Sequence, residues 1–201
     1  MHILQTDIVA CPRCGPTFGL VLVVDELVER RVRRGALGCP NCRERYPIEA
    51  GTGDFTLGEA ADFGAPVEPA AALRLGALAG VTAAPGRLLV VGPAAAHAAA
   101  IARMVGDVEV VAAEGDPGIP AEPGVSRIAI ASVLPYGNAH FAGVVLSGTA
   151  ADSLLQEGAR VLAHGARLVL EPAPAGAGER LAHAGLATLA AEGATLVAVR
   201  T

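Results

Sequence analysis

From residue 70 onward, short apolar runs alternate with segments whose apolar residues recur at helical spacing. The short runs predict buried strands and the longer periodic segments predict helices. We predict strands in RLLVV, VEVVAA, RIAIAS, FAGVVLSG and ARLVLEP, and helices in PAAALRLGALAGVTAAPG, AAAHAAAIARMV, ADSLLQEGARVLA and GERLAHAGLA. The last segment, ATLAAEGATLVAVRT, fits two short strands around Glu192-Gly193. This alternation predicts an α/β domain with a mostly parallel sheet that helices cover on both faces.

The first fifty residues differ from the rest because they contain all the cysteines of the chain. Cys11, Cys14, Cys39 and Cys42 form two C-P-x-C pairs. Each pair can present two thiolates from a tight turn, and four thiolates complete a tetrahedral structural zinc site. Gly15 suits the turn after the first pair. Two disulfides, which a cytoplasmic setting disfavours, and a redox C-x-x-C pair are the alternatives.

Between the cysteine segment and the alternating segment, residues 51–69 read GTGDFTLGEAADFGAPVEP. Glycine, proline and acidic residues dominate this stretch, as they do in linkers. We therefore divide the chain into a β-rich zinc ribbon over residues 1–58, a linker over 59–69 and a Rossmann-like domain over 70–201.

Composition excludes several function classes. Of the 201 residues, 52% are hydrophobic, which is enough for a core. All 15 basic residues are arginine, so a lysine Schiff base and a P-loop lysine are both excluded. The N-terminal segment lacks a signal-peptide pattern, and no apolar run reaches the length of about 18 residues that a membrane span needs. We expect a cytoplasmic protein that does not cross a membrane.

Net charge points away from general nucleic-acid binding, since the formal value is -5. The one dense basic patch is ERRVRR, which supplies Arg30, Arg31, Arg33 and Arg34. A solvated strand or turn is the simpler interpretation of this patch. Contact with nucleic acid through the four arginines is the alternative.

The cysteine segment resembles the small zinc-ribbon proteins that act as activating subunits of methyltransferases. The resemblance rests on DIVACPRCG and GALGCPNCRERYPIEAGTGDF, with an apolar lead-in before Cys11 and Tyr46-Pro47-Ile48 followed by Gly51. It covers residues 1–58. It implies that the ribbon docks beside a methyltransferase and stabilises it by burying an apolar edge. A generic ribbon that binds nucleic acid or another protein is the alternative.

Residues 70–201 resemble a class I S-adenosylmethionine-dependent methyltransferase domain, most clearly in the segment from LPYGNAHF to RVLAHGARLVLEP. In that family an acidic residue precedes a G-x-G-x-G turn after the first strand. Here these positions are Val90, Gly92, Ala94 and Ala96, so one glycine remains. The added methyl groups are expected to fill space where the cofactor would lie. Glu114 matches the acid that holds the ribose hydroxyls in the family.

Gly92 and Glu114 are therefore the candidate cofactor residues, and no catalytic residue is identified. Our leading hypothesis is a non-catalytic scaffold or regulatory protein that has lost most of its cofactor site. Its expected partner is a protein, either a methyltransferase or a second copy of the chain. The alternative is an active S-adenosylmethionine-dependent methyltransferase with a divergent first motif, whose loop 135–138 faces the substrate.

Overall fold

The computed structural model of the chain describes residues 1–82 and 86–201. The strands in these ranges are β1 (Ala10–Cys11), β2 (Gly15–Gly19), β3 (Val21–Val28), β4 (Arg31–Gly38), β5 (Arg45–Glu49), β6 (Thr52–Phe55), β7 (Arg87–Val91), β8 (Glu109–Glu114), β9 (Val125–Ile130), β10 (Phe141–Ser147), β11 (Leu162–Glu171), β12 (Leu186–Glu192) and β13 (Thr195–Arg200). The α-helices are α1 (Pro69–Leu78), α2 (Ala98–Val105), α3 (Ala150–Ser153), α4 (Leu155–Val161) and α5 (Ala177–His183). Short 3-10 helices span Ile3–Gln5 and Pro93–His97.

Eleven strands form one continuous sheet in the order β12-β13-β11-β10-β7-β8-β9-β6-β5-β4-β3. Strands β7 to β11 run parallel, and β13 lies antiparallel between β11 and β12. The prediction of an α/β fold with a β-rich ribbon and a mostly parallel sheet is confirmed, as is the final hairpin. The strand order reverses between β7 and β10, and ligands of such sheets bind in the crevice outside the strand ends at this point.

The ribbon joins the α/β domain through main-chain pairing of β6. Strands β3 to β6 form an antiparallel meander, and β6 then pairs in parallel with β9. The pairing runs from Thr52 opposite Arg127 to Phe55 opposite Ile130. The ribbon therefore extends the parallel sheet at its β9 end.

The ribbon and the α/β domain also share a hydrophobic core on one face of the sheet. Leu37, Ile48 and Phe55 of the ribbon belong to the same buried cluster as Val91 and Leu146. Each fully buried aliphatic or aromatic side chain of this kind contributes about 1.5–3 kcal/mol. The opposite face has its own cluster, in which α1 and α2 cover β7 and β8. Loss of the ribbon fold would therefore expose apolar surface of the α/β domain.

Three predicted helices differ in detail from the observed ones: ADSLLQEGARVLA divides at Leu154 into α3 and α4, and its last two residues, Leu162 and Ala163, belong to β11. The segment AAAHAAAIARMV starts as a 3-10 turn, because the Ala95 N–H bonds to the Gly92 carbonyl, and becomes α-helical only at Ala98. The first predicted helix ends at Leu78, and its last residues, 83–85, lie outside the described residues. None of the helices in the described ranges has the length and apolar character of a membrane span.

Candidate zinc centre and cofactor crevice

The four cysteine sulfur atoms lie within 4.8 Å of one another. The Sγ atoms of Cys11 and Cys42 are 3.7 Å apart, and those of Cys14 and Cys39 are 3.8 Å apart. Four zinc–sulfur bonds of about 2.3 Å in a tetrahedron separate the sulfur atoms by about 3.8 Å. A disulfide would require about 2.05 Å. The spacing therefore fits a four-sulfur zinc site, in which no position is left open for chemistry.

The turn around Cys39 favours its thiolate form; at Cys42 the Glu44 N–H lowers the pKa, but burial and the neighbouring sulfur atoms raise it to about 12. Gly15 has φ of 97°, a conformation that suits glycine, directly after the first pair. Burial by itself raises the pKa of the Cys39 thiol, but the backbone N–H groups of Cys42 and Asn41 lower it to about 7. Thiolates are the species that bind zinc.

Tyr46 links the cysteine cluster to the junction with the α/β domain. Its hydroxyl lies 3.2 Å from the Cys11 sulfur, and its ring stacks on Phe55 with centroids 5.1 Å apart. Burial and the hydrogen bond with Cys11 raise the pKa of Tyr46, so the hydroxyl keeps its proton and would donate a hydrogen bond to a zinc-bound thiolate at Cys11. Such outer contacts orient metal ligands. Phe55 ends the strand that pairs with β9, so the zinc centre supports that pairing.

The cofactor crevice is the groove outside the carboxyl ends of β7, β8 and β10. Gly92 lies at the end of β7 with φ of 82°, and a side chain there would collide with the Ser147 carbonyl. Its own N–H bonds to the Ala113 carbonyl at 2.9 Å, and the Ala94 N–H bonds to Ser147 Oγ at 2.9 Å. Pro93 has no N–H. A helix N-terminus binds ligands through free N–H groups, and in this turn those groups already have acceptors in the protein.

Ala94 and Ala96 stand where the methyltransferase resemblance implies glycines, but they do not lie in the crevice together. Ala94 is fully buried in the core beneath α1 and α2, whereas Ala96 is exposed. Our prediction that both methyl groups fill the ligand space thus differs from the geometry. Ser147 and the segment described below take that place.

Glu114 ends β8 and is ion-paired with the guanidinium of Arg127 on β9. Arg127 also pairs with Glu122 at 2.9 Å, and its side chain is only 2% exposed. Burial lowers the pKa of Arg127. The carboxylate that would hold a ribose is therefore neutralised by a neighbouring strand. Ribose binding by Glu114 stays a prediction.

Residues 59–67, which we call the strap, cross the cofactor crevice. The Ala61 N–H bonds to the Ile130 carbonyl at the end of β9 at 3.1 Å. The Phe63 carbonyl accepts from the Thr149 N–H after β10 at 3.1 Å, and the Phe63 ring is 7% exposed in the shared core. The Val67 carbonyl lies 2.8 Å from His97 Nε2. The segment predicted to be a linker is thus bonded at the ends of β9 and β10 and to the turn after β7.

Two glycines permit this close approach. A side chain at Gly115, directly after β8, would collide with the Ala61 carbonyl oxygen. A side chain at Gly148, directly after β10, would collide with the Phe63 carbonyl oxygen. The main chain of the strap therefore packs directly against the main chain at the ends of β8 and β10.

Substitution of Gly115 by alanine is expected to lower the free energy of unfolding by about 1–3 kcal/mol, the usual cost of overpacking. The backbone of Gly115 is outside the left-handed region, so the effect is a steric one against the strap. Urea unfolding measures it. Gly118→Ala is the matched control, because Gly118 is exposed and faces only the Asp116 side chain. Equal stability of both variants would show that the strap does not lie against Gly115.

The four arginines of the basic patch do not act as one cluster. Arg31 is directed at the α/β domain, where it bonds to the Val125 carbonyl at 3.1 Å and lies 3.6 Å from Glu109. Arg34 pairs in register with Glu26 on β3, and Arg30 forms the turn between the strands. Nucleic-acid binding through Arg30, Arg31, Arg33 and Arg34 stays a prediction.

Sequence reasoning missed Arg127, the buried role of Ser147 and the strap. Arg127 had a usable signal, because a charged residue stands inside a strand whose other side chains are all buried. Loop 135–138, which we predict to face a substrate in the methyltransferase alternative, is bonded to Arg160. The Arg160 guanidinium donates to the Tyr136 carbonyl at 2.6 Å and to Asn138 Oδ1 at 3.1 Å. The strap had a weaker signal, because it is bonded mainly through its main chain and Phe63 is its one aromatic residue in the core.

Comparison with known proteins finds a family match for the N-terminal part of the chain and a structural similarity. A solved structure, that of the (4+2)-cyclase SpnF, is similar over 65% of this chain with 22% identity and a TM-score of 0.43. The chain spans 62% of that protein, and we transfer no residue role from it. No curated protein sequence matches the chain. The model of the Trm112p-like protein family matches residues 4–51. Residues 4–51 are thus similar to the Trm112p-like family, and their four cysteines have the arrangement of a zinc site.

Proposed function

We propose that this protein is a non-catalytic zinc-binding scaffold or regulatory subunit, in which a ribbon of the activator type is built onto a methyltransferase-like domain that does not bind the cofactor. The observation that carries the proposal is the strap across the cofactor crevice, bonded to the ends of β9 and β10. The paired Glu114 and the turn at Gly92, whose N–H groups are taken, support it independently.

In this proposal the ribbon stabilises the α/β domain of its own chain. Activator ribbons are expected to bury an apolar edge of a methyltransferase, and here β6 covers the β9 edge of the same chain. One structural zinc ion at Cys11, Cys14, Cys39 and Cys42 holds that ribbon. Free thiolates of this kind suit a reducing compartment, so we place the protein in the cytoplasm. An external protein partner then binds a different surface.

A second candidate function is an S-adenosylmethionine-dependent methyltransferase whose strap moves. The observation in its favour is a cavity of about 620 Å³ beside the strap, bordered by Val67, Pro93, Gly148 and Pro172. This volume is in the range of small-molecule sites, about 300–1,000 Å³. In this candidate, Gly92 and Glu114 would hold the cofactor only after the strap and Arg127 had withdrawn.

Calorimetric titration of the zinc-loaded chain with S-adenosylmethionine and S-adenosylhomocysteine decides between the two. We expect no binding heat and no thermal shift at millimolar ligand. Micromolar affinity, about -8 kcal/mol, would overturn the scaffold proposal. In that case Glu114→Ala should weaken binding, since it would remove a hydrogen-bond partner of the ribose. An active methyltransferase treated identically serves as the positive control.

A further inference from the structure

Strand β3 forms one edge of the eleven-stranded sheet. It is the terminal strand of the sheet, so in the described part of the chain its outward N–H and C=O groups have no strand partner. An edge strand of eight residues is long, and such edges are normally shortened, covered, bulged or charged; in β3 the charges and the register shifts are confined to Asp25 and Glu26 in the middle. Neither lysine nor proline occurs in β3.

The same strand concentrates exposed apolar side chains. In residues 1–82 and 86–201, eleven large hydrophobic side chains are exposed, and five of them lie on β3. These five, exposed by 40–58%, form what we call the β3 patch: Val21, Val23, Val24, Leu27 and Val28. Scattered exposed hydrophobic residues are normal, but concentration on one edge marks an interaction surface.

We propose that the β3 patch is the interface of a symmetric dimer in which β3 pairs antiparallel with β3 of a second copy. The sequence VLVVDELV is palindromic at its outer positions. Full overlap of two antiparallel copies places Val21 opposite Val28 and Leu22 opposite Leu27, so apolar pairs form at both ends of the ladder. The two acidic residues, Asp25 and Glu26, lie in the middle, where the β3–β4 ladder has its register shifts. In this register Asp25 lies opposite Val24 of the second copy and Glu26 lies opposite Val23, so the acidic residues do not face each other.

The patch supplies most of the surface that a second copy needs. Its five residues expose about 400 Å² per copy, main chain included, so pairing buries up to about 800 Å², and contacts outside the patch must supply the rest of the about 1,000 Å² of a specific interface. The ribbon already attaches to the α/β domain by strand pairing at β6, and the dimer would continue the same sheet at its other end. A two-fold interface closes after two copies, which leaves no free β3 edge. This inference depends on the hairpin alone and stands whether or not the crevice binds a cofactor.

Sedimentation velocity of the full zinc-loaded chain between about 1 and 100 μM tests the proposal, in the range of weak to moderate affinities. We expect a species with twice the mass of the chain. Val23→Glu places a carboxylate opposite Glu26 of the second copy, and this like-charge pair should weaken dimerisation at least tenfold. Val23→Thr keeps a β-branched side chain, so it preserves the strand fold while weakening the dimer less. Leu189→Lys is the matched control, because Leu189 is 53% exposed on β12, the opposite edge of the sheet.

Each result of this experiment either supports or overturns the β3 interface. A dimer that both Val23 variants weaken and Leu189→Lys leaves intact supports the β3 interface. A monomer at 100 μM overturns it. A dimer that responds only to Leu189→Lys also overturns it, because the other edge would then be the interface. A dimer that none of the three variants weakens overturns the β3 interface as well, because neither edge of the sheet would then form the contact.

Discussion

Removal of zinc from the four-cysteine centre is expected to unfold residues 1–55 and to loosen β9. Apparent binding free energies of structural zinc are about 10–16 kcal/mol, comparable with or larger than the whole stability of a domain at about 5–15 kcal/mol. Without the metal, two buried thiols, those of Cys11 and Cys39, lose their ligand interactions inside the ribbon core. Since β6 pairs with β9 and Phe55 lies in the shared core, the change should spread into the α/β domain.

Hydrogen–deuterium exchange with and without a strong chelator measures this effect. Protection should fall across β3 to β6 and, to a smaller extent, at Val125–Ile130, while β10 and β11 keep theirs. Cys39→Ser should reproduce the result without chelator. Arg13→Ala is the control, because it removes only an exposed ion pair with Glu44 at the same cluster. Unchanged protection of β5 and β6 in the zinc-free protein would show that the cluster has no structural role.

Substitution of Arg127 by methionine is expected to lower the free energy of unfolding by about 3–5 kcal/mol, the usual cost of breaking a buried ion pair from one side. The variant leaves the Glu114 carboxylate, 15% exposed, without its cation. Loss of the cation destabilises the Glu122 carboxylate less, because its side chain is 43% exposed and water can solvate it. Chemical denaturation of the variant and the parent chain gives the difference.

A double-mutant cycle assigns that loss to the pair. Glu114→Gln in the Arg127→Met background should restore part of the stability, since it removes the unpaired charge. Arg180→Met is the matched control: Arg180 pairs with Asp152 at the surface, where such pairs contribute about 0–1 kcal/mol. A loss below 1 kcal/mol for Arg127→Met would mean that Glu114 is not held by this arginine and remains free for a ligand.

The parts of the fold that repeat a periodic pattern could be predicted from the sequence. The apolar runs RLLVV and RIAIAS predicted β7 and β9, whose side chains are almost all buried because both faces of the central sheet are covered. The cysteine spacing predicted a four-sulfur cluster because two tight turns impose their own geometry. The closing hairpin followed from Glu192-Gly193 between two apolar runs.

The path of the strap across the crevice could not be predicted in the same way. The strap has the glycine, proline and acidic residues of a linker, but it is held through main-chain groups of Ala61 and Phe63, and these groups are the same in every residue. Its fit also depends on Gly115 and Gly148, which lie far away in the sequence. The pairing of β6 with β9 likewise depends on main-chain hydrogen bonds between distant segments. Such contacts leave little trace in residue type.

The most direct test of the closed crevice is hydrogen exchange at two amides, those of Ala61 and Thr149, resolved by nuclear magnetic resonance. Both N–H groups bond across the strap and the strand ends. We predict that they open only with the core strands, at a cost of several kcal/mol, and that millimolar S-adenosylhomocysteine leaves their rates unchanged. Exchange at the rate of a free loop, or a change in these rates on adding the ligand, would contradict the account: the strap would then be mobile and the crevice open to a cofactor.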